Sequence, residues 1–121
     1  MRPEDHDWHH VQELASRLQQ EARSDLTGGE RELLLRVARE VAIGDAEATL
    51  GTPTGVVDLA IEVSARIREG SRRLSQALVR AHRLLDAGDT AGARKVLQGV
   101  LDVEVVPLYR DHAQAELDEL G

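Results

Sequence analysis

A single apolar stripe constrains this chain more than any other feature. Between residues 54 and 86, apolar or small residues recur at Val56, Leu59, Val63, Ile67, Gly70, Leu74, Leu78, Ala81 and Leu85. The steps of three, four and four repeat with a period of about 3.67, the signature of one nearly straight helix buried along one side. Such a helix runs for about 50 Å at about 1.5 Å per residue. Propensity alone does not hold a helix of that length, so it needs packing partners along its stripe.

The flanking residues read as helices too. Asp7 is a cap for a first helix whose face carries Trp8, Val11, Leu14, Ala15 and Leu18, ending near Ala22 or Arg23. Thr27-Gly28-Gly29 forms a capped turn, and a second helix follows over residues 30–43, stopped by Gly44. A short helical turn at 46–50 precedes the strongest punctuation, Gly51-Thr52-Pro53-Thr54-Gly55. After Gly88-Asp89 a last helix spans about 91–120, with a kink or break at 103–107 around Pro107. The expected architecture is all-α: a helical bundle with a long antiparallel C-terminal helical hairpin packed against two shorter N-terminal helices. Residues 1–6 read as a flexible tail and 7–121 as a single helical domain.

Charge gives that hairpin a register. With the turn centred between Gly88 and Asp89, residue i faces about residue 177 − i, which sets Arg73 opposite Glu104 and Arg66 opposite Asp111. Residues 66–83 hold six arginines and one acid, whereas 102–121 hold six acids and one arginine. Paired antiparallel, the two segments complement one another, each exposed ion pair adding about 0–1 kcal/mol.

Composition narrows the function classes. One Trp, one Tyr and no Phe in 121 residues leave an aliphatic core and no stacking platform for single-stranded nucleic acid. A net charge of −7 repels phosphate backbones, so nucleic acid is not expected as a partner. No cysteine excludes disulfides and thiolate chemistry and suits a reducing compartment. No run is apolar enough to span a membrane and the first residues lack a signal-like apolar core, so a cytoplasmic location is expected.

No residue cluster specifies a reaction. His6, His9 and His10 with Asp5 and Asp7 are a candidate metal set, read as a solvated tail. A di-iron bundle needs Glu-x-x-His motifs, and the chain has none. In the hairpin register His112 faces about Ala65, roughly 25 Å from His82, so the two histidines share no ligand. His112 with Glu116, and His82 with Asp86, read as ordinary pairs one turn apart. Gly70 and Ser71 lie on or near the buried stripe, where small side chains let a neighbouring helix approach. Neither a G-x-S-x-G elbow nor a P-loop is present. No catalytic, cofactor-binding or metal residue is therefore assigned.

Two places suit contact with a partner. Arg68, Arg72 and Arg83 lie on the outer face of the long helix, away from its hairpin partner, where an acidic surface or a phosphate could meet them. Tyr109 and Arg110, beside Pro107, are residue types favoured as interface anchors.

Several strings resemble a known family: AREVAIGDAEATL at 38–50, RIREGSRRL at 66–74, AGDTAGAR at 87–94 and VEVVPLYR at 103–110. They are similar to the DUSAM domain, a family of small paralogous proteins of myxobacteria, over most of the chain. The resemblance implies no established activity and transfers no role to any residue. A paralogous expansion is typical of partner-specific proteins, by analogy only. The expected function is a non-enzymatic protein–protein interaction module, such as an immunity or regulatory protein acting by surface complementarity. A homodimer is the expected way to bury leftover apolar surface. The alternatives are a structural self-assembling unit and a helical metal-binding or enzymatic protein with an unrecognised site.

Overall fold

The computed structural model describes residues 3–21, 25–52 and 54–121, with side chains from His6 onward. The described residues are all-α: α1 (Pro3–Gln20), α2 (Gly28–Glu40), α3 (Ala46–Leu50), α4 (Gly55–Asp86), α5 (Thr90–Val103) and α6 (Pro107–Glu119). The chain divides into two compact units, Met1–Ile67 and Arg68–Gly121. α4 supplies the end of the first and the start of the second.

In the first unit α1 begins at Pro3, a turn before the expected cap at Asp7. The expected end at Ala22 or Arg23 lies outside the described residues. α1 and α2 run antiparallel, tied by polar contacts between them. Trp8 Nε1 donates to Glu40 at 3.0 Å, Arg36 meets Asp7 at 3.1 Å, and Arg17 approaches Glu30 at 4.0 Å. Beneath them Val11, Leu14, Leu18, Leu34 and Val37 are fully buried. Thr27 caps α2 through a reciprocal box, accepting from the Glu30 amide while its own amide donates to Glu30 Oε1.

The end of α2 differs from the sequence reading. Its left-handed residue is Ala42, at φ 67°, and not Gly44. The Ile43 amide donates to the Ala38 carbonyl and the Ala42 amide to that of Arg39, a Schellman closure that glycine normally serves. Arg66 completes it. Its Nη1 donates to the carbonyls of Val41 (2.8 Å) and Ala42 (3.0 Å), and its Nε pairs with Glu62. Arg66, expected opposite Asp111, is thus spent as the C-cap of another helix.

In the second unit the turn falls where expected. Gly88 adopts φ 81°, the Asp89 amide returns to the Leu84 carbonyl, and the Asp89 carboxylate caps α5 at the Gly92 amide. α5 then descends antiparallel to α4. The break near Pro107 is more than a kink: Glu104, Val105 and Val106 form an extended link, and α6 doubles back alongside α5. Two apolar layers record the course of the three helices. Leu74 and Ala77 meet Val100 and Ala113; Ala81 meets Ala93, Leu97 and Leu117. α6 therefore runs parallel to α4, and the 177 − i register holds along α5 alone.

Glu104 makes that reversal. Its side chain is 1% exposed, with Oε1 on Arg73 Nη1 at 2.8 Å, the pairing the register predicts. Its Oε2 accepts from the amides of Val105 (3.1 Å) and Val106 (3.0 Å). The carboxylate thereby caps a helix start whose N-cap residue, Val106, has no side-chain cap of its own. Pro107 sits in the first turn of α6, where its missing N–H costs nothing. Gly70 leaves the room: a Cβ there would lie 2.5 Å from the Tyr109 ring and 2.9 Å from Glu104 Oε1.

Two predictions follow from these closures. Ala42→Gly relieves the left-handed strain and raises stability by about 1 kcal/mol, whereas Gly88→Ala lowers it by about 1–2 kcal/mol, both read from urea unfolding by circular dichroism. Glu104→Ala strands two amides and one guanidinium and costs about 3–5 kcal/mol. Arg73→Ala costs less, because the amides still hold the carboxylate, and the double variant is less destabilised than the sum of the two.

Candidate functional site

The chemistry-bearing residues fall into three groups. The first is consumed by the fold. Arg110, expected at an interface, directs Nη1 at the carbonyls of Leu101 (2.6 Å) and Glu104 (2.8 Å), closing the C-terminus of α5. Tyr109 is half-buried against Gly70 and packs onto the Leu74–Val100 layer. Both therefore shape the reversal. The signal for this was present in the sequence: an acid just before a proline-started helix is where a helix dipole accepts a carboxylate. Gly70 is buried as its place on the stripe implies, but Ser71 is exposed.

The second group is the histidines. His82 and His112 are not far apart along a straight hairpin: both address one carboxylate. His82 Nε2 lies 3.5 Å from Glu116 Oε2, and His112 Nε2 lies 3.9 Å from Glu116 Oε1. The return of α6 brings His112 back toward the level of His82, which overturns the 25 Å separation and replaces the expected His82–Asp86 pair. In α1 the early helix start aligns His6 and His10, whose rings lie 4.2 Å apart, while His9 pairs with Glu13 at 3.0 Å. Among the described residues no group of three His, Cys, Asp or Glu side chains is arranged to hold a metal ion.

The third group is the outer face of α4. Arg68, Arg72 and Arg83 are exposed, on the side of the helix opposite buried Leu74, Ala77 and Ala81. None of the three makes a hydrogen bond or ion pair among the described residues. Arg80 is in the same condition one step round the helix. Between Arg72 and Arg83 lies a shallow groove lined by Ser75, Gln76, Val79, Arg80 and Arg83, in which Val79 is 52% exposed. The face thus has a small, partly apolar centre and cationic ends.

No described helix is long and apolar enough to cross a membrane. Among curated proteins and solved structures, nothing matches the chain. A family whose description is "Protein of unknown function (DUF2379)" matches residues 6–120, which takes in both compact units and every described helix beyond the first residues of α1. The chain belongs to that family.

Proposed function

We propose that the chain is a non-enzymatic protein-binding module that meets an acidic partner surface through the outer face of α4. One observation carries this reading. In the Arg68–Gly121 unit Arg73 and Arg110 are engaged within the fold, whereas Arg68, Arg72 and Arg83 line one exposed face, beside Glu69 and Asp86, and make no hydrogen bond or ion pair among the described residues. Arg68 and Arg72 stand one helical turn apart, where like charges repel by a few tenths of a kcal/mol. A face that costs stability in isolation recovers it on contact with carboxylates, which guanidinium groups bind in two-pronged geometry. A cytoplasmic setting, an immunity or regulatory role and the DUSAM likeness belong to the same reading; the lack of cysteine and the net charge of −7 support a soluble partner over a nucleic acid.

The test is affinity capture from the native organism with the tagged chain, compared with a variant carrying Arg68→Glu, Arg72→Glu and Arg83→Glu. The expected result is a protein recovered by the wild type and lost by at least about tenfold with the variant, helix content being unchanged. Lys95→Glu, on exposed α5, serves as the control and leaves recovery intact. Equal recovery by both chains refutes the assignment of this face.

A further inference from the structure

We infer that a second copy of this chain docks on the outer face of α4 through the same face of its own α4, laid antiparallel across a two-fold axis at Val79. The inference rests on the reading of α4 as a contact surface and names an occupant for it. Arg72, Val79 and Asp86 are all exposed, Val79 to 52%. Each is seven residues from the next, nearly two turns and about 10 Å, so the three lie along one line of the helix. The line reads cation, apolar side chain, anion, with the apolar residue at its midpoint. Turned end for end, such a line is its own complement. Arg72 meets Asp86 of the second copy, Asp86 meets its Arg72, and Val79 meets Val79.

Both charges are without use inside the chain. Neither Arg72 nor Asp86 makes a hydrogen bond or ion pair among the described residues. Asp86 is the last residue of α4, where the carbonyl end of a helix disfavours an acid. Arg72 stands one turn from Arg68, a like charge. The guanidinium of the second copy relieves the first cost and its carboxylate the second, and the two-fold axis makes the pairing twice. The relief of the surface agrees. Ser75 and Arg83 flank Val79 one turn to either side, so each Arg83 comes over the hydroxyl of the other copy's Ser75. The small side chains of Ser75 and Val79 let the two helices approach to about 8–10 Å. Glu69 stands about a quarter-turn off the line, and the position it would face lies beyond the end of α4. α5 and α6 pack on the opposite side of α4 through Leu74, Ala77 and Ala81, so no other element of the Arg68–Gly121 unit comes between the two faces.

The experiment is a pair of charge reversals read by sedimentation. At about 25 mM salt the wild-type mass is expected to rise from the 13.3 kDa of the chain toward twice that value as the concentration reaches about 500 μM. At about 500 mM salt the association weakens by at least about tenfold. Arg72→Glu sets two acids face to face and Asp86→Arg sets two cations, so each variant alone is expected to stay monomeric, with circular dichroism confirming that it folds. Their equimolar mixture is expected to regain the dimer mass, since each reversed position then meets the other. A wild type that stays monomeric, a single variant that still associates, or a mixture that does not overturns the inference. Asp86→Arg keeps every arginine, so capture of an acidic partner survives it while self-association is lost. A monomeric wild type whose captured protein is lost on reversing Arg68, Arg72 and Arg83 leaves the partner surface standing and removes only the self-pairing. A dimer that obeys the reversals while capture is indifferent to the arginines does the opposite.

Discussion

A buried carboxylate governs the second half of this molecule. Taking Glu104 out of water costs several kcal/mol, and the structure retains it only because both oxygens are used. Arg73 holds one oxygen and two successive amides hold the other. Those amides can converge on one atom only where the chain leaves helical geometry, so the charge and the break require each other. Once the chain is extended over three residues, Pro107 starts a new helix in the opposite direction. That direction sets the apolar layers: Ala113 falls against Leu74 and Val100, and Leu117 against Ala81 and Leu97. Arg110 then seals the carbonyl end of α5, so the same short segment closes one helix and opens the next.

How far the sequence foretold this depends on what each residue signals locally. The stripe on α4 was legible because packing on one side imposes a period that no loop imitates. The turn at Gly88-Asp89 was legible because a left-handed closure and an N-cap each demand particular residues, and the pair met both demands. Arg73 opposite Glu104 followed from the turn by counting. The reversal at residues 104–106 was not legible from periodicity, since Leu101, Val105 and Leu108 continue the helical spacing across the break. Spacing cannot tell that Val105 is half exposed while its neighbour Val106 is fully buried. Proline was read as an interruption when it was a beginning, and the acid three residues earlier was the clue that decided between the two.

Ala42 shows a different limit. Glycine at position 44 is the expected helix stop, yet the left-handed residue is two positions earlier and bears a methyl group. The Schellman bonds and the two hydrogen bonds from Arg66 outweigh the local preference of alanine. Arg66 lies 24 residues further along the chain, so no local pattern announces it. The misassigned histidines have the same origin. Their separation followed from a straight second arm, and it vanished with that arm.

What remains after these closures is informative by elimination. Met1–Ile67 holds thirteen acidic and seven basic residues, a net charge of −6, and Arg68–Gly121 holds nine and eight, a net charge of −1. The second unit is nearly neutral in total but not in distribution. Inside it Arg73 and Glu104 neutralise one another, while outside Arg68, Arg72, Arg80 and Arg83 outnumber Glu69 and Asp86 on α4, and Asp111, Asp118 and Glu119 outnumber Arg110 on α6. Random placement of charge on a solvated surface intersperses the signs, because mixed neighbours attract and like neighbours one turn apart repel. An uneven distribution of this kind is a small cost borne by the isolated chain. Contact with a face of the opposite sign relieves it, which is the basis of the role proposed for the outer side of α4.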